Sequence, residues 1–221
     1  MDPQLVAQIA ISLVVLLLSL SVHEASHAFA AFRLGDRTAE SQGRMSLNPL
    51  AHIDPFGTIL FPLMGMIFHL PVFGWAKPVP VNPVRFTHRL RMKTGMLIVS
   101  AAGPLSNLLL ALLGALLLGL AVRLAPDILV STMGGHLITF VHIMILLNIY
   151  LAFFNLLPIP PLDGSKILYG LLPDRYGAAF LRIEPYAVLV LLLLLFTGGL
   201  DILARPAMGL FNLLMYLATA A

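Results

Sequence analysis

From Leu5 to Val22 the chain carries no charged residue, only Leu, Val, Ile and Ala with Gln8, Ser12, Ser19 and Ser21 among them. A segment this apolar satisfies its own backbone polar groups as a helix, and about 20 such residues cross a bilayer core. Long apolar runs recur further on. Mean hydropathy is +0.96, and 59% of residues are hydrophobic against 10% charged, where soluble domains carry about 25% charged residues. This excludes an ordinary soluble domain and predicts an all-α polytopic membrane protein. The first run is longer than a signal-peptide core and has only Asp2 as a charge before it, so it is expected to be retained.

Reactive groups appear where this helix continues, in Ser21-Val22-His23-Glu24-Ala25-Ser26-His27-Ala28-Phe29. His23 and His27 are an i, i+4 pair, so both imidazoles leave one helix face with Cβ atoms about 5–6 Å apart. That spacing suits two nitrogens meeting one tetrahedral zinc. Glu24 lies about 100° around the helix from His23, in reach of a water at the metal rather than of the metal itself. Two ligands and a general base within five residues make the hydrolytic zinc motif H-E-x-x-H. A carboxylate inside the bilayer costs about 2.5–3.5 kcal/mol or more, so such a group faces the bundle interior and marks function. There is no cysteine, which removes disulfides and thiolate ligands and leaves His and carboxylate for the one zinc expected per chain.

Residues 36–55 are polar and turn-rich. Residues 39–47 are expected to form one or two short strands, and Pro49 and Pro55 forbid a regular helix across the loop that follows. Residues 58–73 are apolar but short for a perpendicular span, and Pro62, Gly65 and Pro71 interrupt them; a re-entrant hairpin fits better. After the proline-rich stretch from Gly74 to Pro83, with Trp75 as an interfacial anchor, spans are expected at roughly 94–122, 135–157 and 185–200. An amphipathic or spanning piece closes the chain at 203–219. The count is about five to six membrane helices in a single domain, 1–221, whose core covers about 4–172 and whose C-terminal helices cover about 185–219.

Arg37, Arg44, Lys77, Arg85, Arg89, Arg91 and Lys93 lie between the first helix and the span at 94, whereas residues 123–134 hold only Arg123. The positive-inside rule puts the basic region in the cytoplasm, the N-terminus outside and the His pair in the cytoplasmic half. If 58–73 dips and returns, residue 158 emerges on that same side. These basic residues flank apolar spans rather than forming a soluble stripe, so nucleic acid is not expected as a partner.

At the end of the span at 135–157, Pro158, Pro160 and Pro161 prevent helix and place Asp163 on irregular chain at membrane depth, tolerated only inside protein or beside a watery cavity. Asp163 either N-caps a short helix at 164–172 or supplies a third ligand, leaving the fourth position for water as catalytic zinc requires. In Ser100-Ala101-Ala102-Gly103-Pro104-Leu105-Ser106-Asn107, Pro104 is expected to kink the helix and Gly103 to allow close helix approach. Asn107 either donates to a bound peptide or an oxyanion or bonds between helices. Asn48 and His52 with Asp54 are weaker candidates for supporting or substrate contacts, with turn capping as the alternative. His69, His88, His136 and His142 have no partner pattern.

These motifs, with Asn48-Pro49, Asp54-Pro55, Gly74-Trp75-Ala76-Lys77-Pro78 and Asn155-Leu156-Leu157-Pro158-Ile159-Pro160-Pro161-Leu162-Asp163-Gly164, resemble the site-2 protease family of intramembrane zinc metalloproteases, in its compact prokaryotic branch. The resemblance runs from about residue 20 to 170. It implies zinc held by His23, His27 and Asp163, Glu24 as base, and cleavage of membrane proteins at or near a transmembrane helix within the lipid bilayer of the cell membrane. No stretch is long enough for the PDZ or nucleotide-sensing domain of some members, so no nucleotide partner is expected. A metal transporter is the rival reading, and a scaffold with a vestigial site is another. A transporter needs polar residues along a pathway, yet residues 5–20 offer only Gln8, Ser12 and Ser19.

Overall fold

The computed structural model describes residues 3–68, 75–87, 90–127, 131–176 and 184–220. Helix α1 (Pro3–Arg33) runs 31 residues, about 46 Å at 1.5 Å per residue, so it outlasts the apolar run and carries the His pair near its end. It stops where Gly35 takes φ +104°, a left-handed conformation that glycine adopts without a Cβ penalty. The backbone there also presses on the Arg85 carbonyl, 3.2 Å from where a Cβ would sit.

The strands expected over 39–47 do not form. Thr38–Ser41 is a one-turn helix, α2, followed by turns, and there is no strand among the described residues. Local side-chain bonds explain the loop after it. Asn48 Oδ1 accepts from Leu50 N at 3.1 Å and opens a 3-10 turn, and Asp54 Oδ1 accepts from Phe56 N and Gly57 N at 3.0 and 2.8 Å and opens a π-helical turn at Pro55–Leu60. Asn and Asp compete with regular backbone pairing in this way.

The π-turn runs into α3 (Phe61–Phe68). When the chain is next described, Trp75 N donates to Gly57 O at 3.1 Å and the Trp75 ring stacks near Phe61, centroids 5.2 Å apart. The chain has therefore come back to where it left, as a re-entrant hairpin requires. Residues 69–74, with His69 and Gly74, and separately His88, lie outside the described residues.

Helix α4 (Met92–Leu124) spans 33 residues and passes through Pro104, and α5 (Thr132–Asn155) opens on a cap in which Gly134 N donates to Ser131 Oγ at 3.0 Å. After the proline turn come α6 (Asp163–Leu171), α7 (Glu184–Phe196) and, beyond a 3-10 turn at Gly199–Leu203, α8 (Ala204–Thr219). The span expected at 185–200 thus stops at Phe196, at Gly198 with φ +73°. Among the described residues four helices are long and apolar enough to cross a membrane, and two shorter apolar ones, Pro55–Gly65 and Pro185–Phe196, accompany them. The protein is a multi-pass, all-α membrane protein.

Small residues let the helices meet. Ala111 and Ala115 of α4 pack against Val141, Ile145 and Ile149 of α5 and Ala207 and Ala218 of α8. Lipid is as apolar as leucine, so close van der Waals fit and interhelical hydrogen bonds hold such a bundle. Ala28 and Ala31 on the face of α1 are fully buried, and this places the His pair against α4.

Candidate metal centre

His23, His27 and Asp163 are buried, at 4%, 8% and 6% exposure, and they converge from α1 and the start of α6. His23 Nε2 and His27 Nε2 lie 3.0 Å apart, and Asp163 Oδ2 is 3.1 Å from each. Ligand atoms of tetrahedral zinc, with bonds of about 2.0–2.1 Å, stand about 3.3 Å apart, so the triangle fits that ion closely. No other such group of three His, Cys, Asp or Glu occurs among the described residues.

The opposite ring nitrogens fix the rings. His27 Nδ1 donates to Val99 O at 2.7 Å, and because a carbonyl only accepts, the hydrogen is on Nδ1 and the Nε2 lone pair faces the other two atoms. His23 Nδ1 lies 2.6 Å from Asn107 Oδ1. Two imidazole nitrogens and a carboxylate oxygen at this spacing could hold a metal ion among them. Gly103 makes room for the rings: a Cβ there would overlap His27 Nε2 and stand 2.6 Å from His23 Nε2.

Asp163 is brought in by the turn that precedes it. Leu162 N bonds Ile159 O at 3.0 Å and Ser165 N bonds Leu162 O at 3.1 Å, and Gly164 packs so tightly on the Leu156 and Leu157 carbonyls that a Cβ would collide with backbone. The residue before α6, Leu162, holds the cap position without a side-chain bond. The Asp163 carboxylate points at the imidazoles instead, and its Oδ1 is 3.9 Å from Lys166 Nζ.

Glu24 faces the same cavity, a space of about 620 Å³ lined also by Val79, Leu151, Phe154, Lys166 and Leu191. Its Oε2 accepts from Val79 N at 2.8 Å. Val79 belongs to an extended strap, residues 75–82, that hangs from the loop before it. Lys77 N bonds His52 O at 2.9 Å, Arg44 Nη2 bonds Lys77 O at 2.5 Å, and Thr58 Oγ1 bonds Trp75 O at 2.8 Å. At the far end Asn82 N donates to Asp36 Oδ2 at 2.6 Å. Burial pushes the Asp36 carboxyl up, but the hydrogen bonds from Thr38 and Asn82 and the nearby Arg85 charge outweigh it and hold the group below the usual carboxylate range.

The other sequence candidates stand further back. Asn107 is fully buried, with Oδ1 on His23 and Nδ2 donating to Asn148 Oδ1 at 2.7 Å. Asn48 caps its turn, and His52 Nε2 donates to Ser46 O at 2.7 Å; neither lines the cavity. Sequence reasoning missed Val79, Asn148 and Ser19. Asn148 had a usable signal, since a lone amide in the apolar run of α5 is costly unless it has a partner.

Comparison with known proteins identifies the family. The model of peptidase family M50 matches residues 122–198. "Putative zinc metalloprotease YwhC" of Bacillus subtilis (strain 168) is 45% identical over 184 residues, which are 83% of this chain and 79% of that protein. Two proteins named "Putative zinc metalloprotease Rip2", from Mycolicibacterium smegmatis and Mycobacterium tuberculosis (strain H37Rv), are 33% and 32% identical over 186 residues, 84% of this chain and 66% of each of theirs. No solved structure matches the chain. At 45% identity to the Bacillus subtilis protein across 79% of that protein's length, and with the family model matching residues 122–198, the chain belongs to peptidase family M50, the site-2 protease family of zinc metalloproteases.

Proposed function

We propose that this metalloprotease hydrolyses peptide bonds in or near the transmembrane segments of membrane proteins, with one zinc held by His23, His27 and Asp163. The observation that carries the reading is the buried triangle of two Nε2 atoms and one Oδ2 at 3.0–3.1 Å, set in a membrane helix with Glu24 on the same cavity. When bound, zinc would polarise a scissile carbonyl and lower the pKa of a water to about 7.

Glu24 takes the proton of the attacking water and passes it to the leaving amine nitrogen. Val79 N holds one carboxylate oxygen, leaving the other for the proton. Asn107, bonded to His23 rather than open to the cavity, serves as a positioning residue. The apolar walls, Leu151, Phe154 and Leu191, suit a hydrophobic substrate segment and exclude bulk water. The positive-inside rule puts this site in the cytoplasmic half of a cell-membrane protein with its N-terminus outside. One turn beyond Ser19 on the same face of α1 stands Val15, apolar and buried at 1% exposure, so the polar series His23–Asn107–Asn148–Ser19 is not continued by the next residue of that face, as an ion pathway would require.

The test uses purified protein and a co-expressed single-span substrate. Glu24→Gln should keep about one zinc and lose cleavage by about 10²–10⁴-fold, whereas His23→Ala and Asp163→Ala should lose the zinc as well. Full cleavage by Glu24→Gln overturns the assignment.

A further inference from the structure

His23 differs from His27 in how its outer nitrogen is held. Val99 O sits directly on His27, but His23 meets an amide, which offers an acceptor at one end and donors at the other. Something must decide which end of Asn107 faces the ring. If its NH2 did, the ring hydrogen would move to Nε2 and the metal-facing lone pair would be lost.

The deciding group lies on a third helix. Asn148 Nδ2 is 2.8 Å from Met144 O, one turn earlier on α5, and 2.8 Å from Ser19 Oγ. A main-chain carbonyl accepts and never donates, so it fixes the Asn148 amide with nitrogen toward Met144 and Oδ1 toward Asn107. Asn107 must then present Nδ2 to Asn148 and Oδ1 to His23. Hydrogen sits on His23 Nδ1, and Nε2 is left with its lone pair toward Asp163 and His27. Asn107 and Asn148 are both 0% exposed and Ser19 1%, so no water competes to reverse an amide, and the low dielectric raises the cost of any mismatched pair.

We propose that the Met144 carbonyl, acting through the amides of Asn148 and Asn107, sets the ring tautomer of His23, and that Asn148 is a positioning residue of the metal centre although it touches no ligand. The inference rests on the zinc reading above and adds a residue to it. Outer hydrogen-bond partners of ligating histidines are commonly worth 10–100-fold in metal affinity.

The experiment measures zinc affinity of detergent-purified protein by chelator competition, together with ¹⁵N NMR of histidine-labelled, zinc-loaded wild type. Asn148→Leu removes the orientation and should weaken zinc about 10–100-fold while circular dichroism stays helical. Ser19→Ala leaves Met144 O in place and should change affinity by less than about threefold. In wild type, His23 should carry hydrogen on Nδ1 and bind through Nε2. Zinc binding by a folded Asn148→Leu as tight as wild type, or His23 ligated through Nδ1, overturns the proposal; should Asn148→Leu not fold, the wild-type spectrum decides alone. Failure of wild type to bind zinc would instead sink the metalloprotease reading itself.

Discussion

The backbone N–H of Val79 ends on the Glu24 carboxylate, 2.8 Å away, and Val79 stands between Pro78 and Pro80, which have no N–H to offer. In this part of the strap, then, one donor faces the base. A hydrogen bond to a charged acceptor is worth about 1.5–3 kcal/mol, so Val79→Pro should lower kcat by about 10–100-fold with zinc content unchanged. Val79→Ala keeps the N–H and should lie within about threefold of wild type. Equal rates for the two variants, in the cleavage assay with a single-span substrate, would remove Val79 from the picture.

Gly103 is the point where α4 gives way to the two imidazoles. Gly103→Ala puts a methyl group onto His27 Nε2 and within 2.6 Å of His23 Nε2, so the rings must leave their rotamers, and the variant should hold zinc at least about tenfold more weakly. Gly135, with nothing within 4 Å of its added Cβ, is the control; Gly135→Ala should bind zinc as wild type does. Metal content after dialysis against a weak chelator reads both.

Asp36 ties the end of α1 to the strap, and its folded pKa lies below the ordinary value. The unfolded chain, with an Asp pKa near 3.9, therefore binds the proton first. The stabilisation from Asp36 is complete above about pH 5 and is lost as pH falls through 3.9 toward the folded value. Thermal melts of wild type should drop over that window, while Asp36→Asn should already melt a few degrees lower at pH 7 and fall less steeply in acid. Parallel acid profiles for the two proteins would contradict this.

Side-chain chemistry was legible where it is local. His23 and His27 are one helical turn apart, so their shared face, and the place of Glu24 about 100° around from it, follow from the 3.6-residue period alone. Hydropathy placed the long helices to within a few residues because a bilayer admits few alternatives. Asp163 was harder, since the same residue at the same place reads equally as a helix cap; only the turn at Pro158–Leu162 decides where the carboxylate points, and its path depends on Gly164 packing against carbonyls eight and seven residues earlier. The strands expected over 39–47 failed because the backbone there bonds to itself: Ser41 N reaches Arg37 O at 2.9 Å, Arg44 N reaches Ala39 O at 2.8 Å, and Gly43 turns the chain at φ +66°. Val79 acts through its main chain, which no side-chain pattern records, and Asn148 gains meaning only when three helices are in register.

The ligand triangle is braced by contacts that do not involve any ion: Val99 behind one ring, the Asn107–Asn148–Ser19 chain behind the other, and an apolar core between α4, α5 and α8. In a zinc finger, by contrast, the cation supplies the folding energy. Here the scaffold should survive demetallation, with helical circular dichroism retained in excess chelator and activity restored on adding back zinc without refolding. For this architecture loading becomes a separate event from assembly, and an inert, empty form of the enzyme can wait in the bilayer until the ion arrives.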